Sequence, residues 1–177
     1  MKKLFYPALA VFILMSTAFM SITSQEWKIA DDFSIKFISK DPTGVFKEFK
    51  GSINFDENDL ASANFDLTIP VASINTGNGM QNKHARSDDW FDAEKYPNIT
   101  YKSKSVEKAA NGYLIVGDLK IKGITKQYKI PVDFKKTGDS GKFTGTFNVN
   151  RNDFGIGKPG KVSDVLKVEF SVPVNKR

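Results

Sequence analysis

Rows of large apolar side chains at every second position run through most of this chain, and they fix what it can fold into. Phe33, Ile35 and Phe37 alternate with Ser34 and Lys36. Phe49, Gly51, Ile53 and Phe55 alternate with Lys50, Ser52 and Asn54, and Ala63, Phe65, Leu67 and Ile69 with Asn64, Asp66 and Thr68. Ile99 and Tyr101 follow, then the long row Tyr113, Ile115, Gly117, Leu119 and Ile121. Tyr128 to Phe134, Phe143 to Val149 and Leu166 to Val174 complete the set. Successive side chains on a strand point to opposite faces, so each row is the buried face of one strand. Eight rows predict eight strands and an all-β fold.

The connectors carry turn chemistry. Asp56-Glu57-Asn58-Asp59, Asn111-Gly112 and Thr137-Gly138-Asp139-Ser140-Gly141 are short and polar, and they favour antiparallel neighbours. One segment, Ile74 to Pro97, breaks the alternation. Asn78-Gly79 opens it, Met80 to Asp89 reads as a short helix, and Trp90-Phe91 offers an apolar anchor. A strand meander with one helical excursion fits a barrel with a cap at one end. Eight such strands either pack as a solid sandwich or close into a barrel, whose interior is then filled or holds one small ligand. Gly51, Gly117 and Gly145 interrupt the inward rows: they either leave room inside or mark bulges and close bends.

Composition removes several classes of chemistry. With no Cys, disulfide scaffolds, thiolate metal sites, iron–sulfur clusters and thiol nucleophiles are excluded. With one His, a site needing two imidazoles from one chain is excluded. No glycine-rich phosphate motif is present, and Asp88, Asp89 and Asp92 lack the spacing of a calcium loop, so no metal and no cofactor is expected. Lys120, Lys122, Lys126 and Lys129 mostly alternate with apolar residues as on a wet strand face, so no nucleic-acid partner is expected.

Lys2 and Lys3 precede an apolar stretch from Leu4 to Met20, and the first acid is Glu26. This is the pattern of a secretory signal peptide over residues 1–24, with a retained N-terminal anchor as the alternative. Either reading sends residues 25–177, one domain, to the periplasm or outside the cell. Loss of Lys2 and Lys3, with no acid lost, takes the formal charge from +6 to +4. Of the 15 Phe, Phe5, Phe12 and Phe19 fall in this leader.

Three blocks resemble a known family. Ser73-Ile74-Asn75-Thr76-Gly77-Asn78, His84 to Asp92 and Glu94 to Tyr101 are similar to the central block of the YceI-like family. Gly117 to Lys126 is similar to its next block, and Phe147 to Ile156 to its late block. The resemblance spans about residues 26 to 175. It implies an extended eight-stranded antiparallel lipocalin-like barrel with a deep apolar lumen, in an exported protein that binds a long polyisoprenoid or isoprenoid quinone-like lipid. Homodimerisation also fits the family, and transient membrane contact is expected of the protein as a partner interaction. Many members carry a His-Ser pair entering the first strand, where this chain has Asp32-Phe33, so a head-group preference does not carry over.

The lumen lining is expected from Phe37, Phe49, Phe55, Phe65, Tyr101, Phe134, Phe143, Phe147 and Phe170, which share the inward register, with Trp90 and Phe91 as lid or anchor. Each buried aromatic removes ~150–250 Å² from water, and a surface of this kind suits a hydrocarbon chain. Solid core packing is the competing use of the same rings. His84, Arg86 and Arg151 are candidates for a ligand head group. Against that, His84 reads as a helix-surface residue, and the arginines as structural partners of Asp88, Asp89 or Asp153. No serine is marked as a nucleophile, so the protein is read as a binding protein and not an enzyme. The alternative is an envelope interaction protein with a solid barrel and a partner-binding rim.

Overall fold

The computed structural model describes residues 25–158, 160 and 162–177; the leader over 1–24 lies outside the described residues. Eleven strand segments form one antiparallel sheet: β1 (Glu26–Ile29), β2 (Ser34–Ile38), β3 (Gly44–Phe46), β4 (Lys50–Asp56), β5 (Asp59–Pro70), β6 (Ile74–Asn75), β7 (Asn98–Lys108), β8 (Tyr113–Ile121), β9 (Ile124–Thr137), β10 (Ser140–Asn150) and β11 (Val165–Lys176). Some segments are halves of one interrupted stave. Both β1 and β2 pair with β11, β1 near its C-terminal end and β2 at Lys167–Ser171. In the same way β4 and β3 flank β1 and β2, and β5 and β6 flank β4 and β3. The segments therefore make eight staves, one for each apolar row, and the β1–β11 pairing closes the sheet into a barrel. Closure decides against the sandwich.

The first stave begins earlier than its row, at Glu26. Trp27 is buried there, and its indole N–H donates to the Phe55 carbonyl at 2.8 Å. The helix α1 (Gly79–Arg86) starts where expected, because the Asn78 side chain accepts from the N–H groups of Met80 and Gln81. It ends three residues sooner than the pattern predicted. The Ser87 hydroxyl and N–H both donate to the His84 carbonyl, at 2.7 and 3.0 Å, and the chain turns out of the helix there.

The three row glycines are sites of close approach and leave no room inside. A Cβ on Gly51 would stand 2.1 Å from the Asp66 carbonyl oxygen, and one on Gly117 2.4 Å from that of Lys102, beside a bulge in β7. At Gly145 it would meet the Phe170 ring and the Pro131 carbonyl oxygen, each at 2.4 Å. Pro131 also limits the barrel wall. Its carbonyl edge faces β10, where it has no N–H to offer, and the β9–β10 ladder covers only Thr137–Asp133 against Ser140–Thr144. Beyond that the seam is filled by Tyr128, Phe147 and Phe154, with ring centroids about 6 Å apart.

Candidate functional site

The two ends of the barrel are packed differently. At the end where Glu26 and Lys176 lie, six staves each contribute an aromatic side chain to one layer. Phe55 is its centre, 4.9 Å from the Tyr113 ring, 5.0 Å from Phe134 and 5.4 Å from Phe143. Phe134 stacks on Phe143 at 4.4 Å, Trp27 meets Phe134 at 5.4 Å, and Phe65 meets Phe143 at 5.5 Å. These rings form a solid plug. The Tyr113 hydroxyl caps it, donating to Glu57 at 2.8 Å and accepting from Lys108 at 3.0 Å. Burial is the main cause that pushes this phenol above its ordinary pKa.

Above the plug the barrel is hollow, in two adjoining chambers. The lower has a volume of about 120 Å³ and is lined almost wholly by apolar side chains, among them Phe49, Phe65, Tyr101, Phe143 and Phe170. The upper, of about 300 Å³, opens at the capped end and is lined by Phe37, Phe46, Trp90 and Phe91 among others. Ile35, Ile69, Ile99, Leu119, Phe147 and Val168 line both and form the waist between them. The Tyr101 hydroxyl donates to the Ile115 carbonyl at 2.9 Å, which turns this one polar tip out of the lower chamber and into the wall. Burial, with a smaller contribution from the Asp118 carboxylate, raises the Tyr101 pKa well above its usual value.

The roof is the excursion between β6 and β7. Trp90 lies over Gly157, where an added Cβ would come within 2.9 Å of its ring, and its other neighbours are His84, at 5.9 Å between ring centroids, and Arg151. Lys122 clamps this cap to the barrel by donating to the carbonyls of Asp88 and Gly155, at 2.8 and 3.1 Å. The Gly157 N–H adds a bond to Asp89.

Nine of the eleven expected lining residues therefore face one chamber or both. Phe55 and Phe134 do not: they belong to the plug, because the rings opposite them are themselves aromatic and fill the space. His84 lines the upper chamber at its mouth, with Asp41, Thr76 and Gln81. Arg86 lies outside the hollow, where its guanidinium donates to the Ala72 carbonyl at 3.3 Å. Arg151 lines the chamber wall but is 1% exposed, and its donors hold the 156–164 loop. They reach the carbonyls of Ile156, Lys158, Val162 and Ser163, and the Asp164 carboxylate at 2.8 Å. Its acidic partner is thus Asp164, not Asp88, Asp89 or Asp153. Trp27 lies outside the expected rows, and the aliphatic waist residues, expected to be buried, line the hollow alongside the aromatic side chains.

The architecture is shared with known proteins. A YceI-like domain matches residues 20–174. The chain belongs to the YceI-like family. A UPF0312 protein of Pseudomonas putida is 32% identical over 158 residues, covering 83% of this chain and 78% of the relative. A UPF0312 protein of Photorhabdus laumondii is 42% identical over 83 residues, covering 47% of this chain and 43% of the relative. Among solved structures, BcnA of Burkholderia cenocepacia superposes with a TM-score of 0.79 at 28% identity, over 82% of this chain and 99% of that one. A polyisoprenoid binding domain from Saccharophagus degradans superposes with a TM-score of 0.67 over 85% of this chain and 98% of that one. At 16% identity that last likeness shows a shared fold. The barrel presents an apolar inner surface, with His84, Asp41, Thr76 and Gln81 at its mouth and Arg151 in the wall of the upper chamber.

Proposed function

We propose that the protein is an exported lipid-binding protein that holds a polyisoprenoid or isoprenoid quinone-like chain in the barrel hollow, for carriage or storage in the cell envelope. The observation that carries this reading is the pair of adjoining apolar chambers above the plug. Each methylene moved from water into such a space contributes about 0.8 kcal/mol, so a branched hydrocarbon chain binds there without specific polar contacts. The name of the Saccharophagus degradans domain, which shares the fold, supports the same class of ligand. Binding rather than catalysis is supported by the YceI-like family and by the name of that binding domain.

An isoprenoid chain is insoluble, so loading and release require contact with a bilayer. Met80, Ile124 and Val165 are exposed large apolar side chains, and all three lie at the open end of the barrel: on α1, at the β8–β9 turn and at the start of β11. Their position supports docking of that end on a membrane. The test is organic extraction of the protein purified from its native envelope, followed by mass spectrometry. A prenyl lipid near one equivalent per chain is expected. An extract without stoichiometric lipid, from a protein that also fails to take up prenols added in detergent, overturns the proposal.

A further inference from the structure

We infer that Phe143 and Phe65 act as an end-stop that limits the length of hydrocarbon chain the hollow accepts. This rests on the lipid-binding reading above. Both rings have two faces in use. On one side they line the lower chamber; on the other they pack into the plug, Phe65 against Phe55 at 6.0 Å and Phe143 stacked on Phe134 at 4.4 Å. The hollow therefore ends on a layer of closely packed aromatic side chains and has no tapering crevice for a chain to enter.

The depth above that layer is short. On β11 the chamber lining runs from Leu166 through Val168 and Phe170 to Val172, and the next inward residue, Val174, is fully buried. That run rises about 20 Å along the strand at ~3.4 Å per residue, or roughly 15 Å along the barrel axis for strands tilted by about 35–45°. A chain entering tail-first buries each successive isoprene unit until its end meets Phe143 and Phe65. Further units remain at the mouth, near His84 and Trp90, and contribute little. The chain-length preference is thus set by two side chains at the floor, while head-group contacts are confined to the rim.

The test uses all-trans prenols of increasing length, from three isoprene units upward, presented in detergent to the intact barrel protein and read by native mass spectrometry and competition for a bound fluorescent fatty acid. In the unmodified protein, affinity is expected to rise at least roughly tenfold per added unit and then level off, as expected when burial of apolar surface drives binding. Phe143→Ala opens the floor, and the plateau moves to a prenol longer by about one unit or more. Phe143→Leu, a milder truncation, shows a smaller shift in the same direction and carries the test if the alanine variant fails to fold. Ile130→Phe, which narrows the lower chamber, moves the plateau to a shorter prenol. A plateau at the same length in the unmodified protein and in folded Phe143→Leu overturns the end-stop and leaves lipid binding intact. Failure of the unmodified protein to bind any prenol overturns the lipid reading, and the end-stop with it.

Discussion

The plug and the hollow are built from the same strands, in the same inward register and largely from the same residue type, yet one half of the barrel is solid and the other open. The difference lies in what stands opposite each ring. In the plug, Phe143 pairs directly with Phe134, the rings of Phe55 and Phe65 close on them at 5.0–5.5 Å, and Tyr113 meets Phe55 at 4.9 Å. In the hollow, Phe147 pairs with Val168, Phe37 also with Val168, and Tyr101 with Leu67 and Leu119. In the plug the aromatic side chains of six staves meet in one layer and fill the axis; in the hollow the aromatic contacts, such as Phe37 with Phe46 and Phe147 with Phe170, run along the wall and the axis stays open.

The largest expected effect breaks the plug. Phe55→Ala removes a ring that is 1% exposed and touches four other aromatic side chains, and it should cost about 3–5 kcal/mol in denaturant unfolding. Phe147→Ala removes a ring of the same size beside open space, where less packing is lost; its cost should stay under about 2 kcal/mol. Equal costs would show that the two halves are equally packed. Next comes Arg151→Met, which keeps the bulk of the side chain but leaves four carbonyls and the Asp164 carboxylate without their donor. A loss of about 3 kcal/mol is expected, with faster proteolysis in the 156–164 loop. Unchanged stability would mean that the mouth is held together by packing, as the plug is.

Phe147→Trp addresses the hollow from the other direction. The side chain lies at the waist shared by both chambers, and a larger ring there occupies space that a ligand needs. Prenol affinity should fall at least tenfold, ~1.4 kcal/mol or more, while unfolding changes by less than about 1 kcal/mol. Unaltered affinity would place the ligand elsewhere.

The eight staves were legible because period two is a local property: Leu166 to Val174 shows its buried face without reference to any other strand. Whether a ring belongs to plug or hollow is not local. It depends on register between staves, and register follows from turn geometry and from irregularities such as those between β4 and β5 and in β7. Phe55 and Phe134 therefore read like Phe147 and Phe170 in the sequence and part company only when Phe143 is set against Phe134. Trp27 escaped because its strand segment is short, with only Trp27 and Ile29 as inward residues. Pro131 was the one visible sign of the incomplete β9–β10 ladder, since a proline in a strand row marks an edge. The partner of Arg151 is Asp164, 13 residues further on, because the chain leaving the 3-10 turn Arg151–Phe154 returns to the guanidinium, a non-local outcome of the same kind.

The smallest expected effect concerns Tyr101, the one lower-chamber aromatic with a polar tip. Its hydroxyl sits in the wall on the Ile115 carbonyl, and its pKa in the folded protein is raised above the ordinary value of about 10, first by burial and then by Asp118. Below pH 10 the phenol is protonated in both folded and unfolded chains, and its contribution to stability is complete. As pH rises past 10 the unfolded chain releases this proton and the folded one retains it, so stability falls by up to about 1.4 kcal/mol per pH unit for this group. Tyr101→Phe should cost about 1 kcal/mol at pH 7, through loss of the bond to Ile115. It should also flatten the alkaline decline, so that the urea midpoints of variant and unmodified protein converge between pH 10 and 11. The decline does not vanish, because burial raises Tyr113 and Tyr128 in the same direction. Parallel midpoints across that range would mean that the Tyr101 hydroxyl reaches water, and that the wall of the lower chamber is open where the structure closes it.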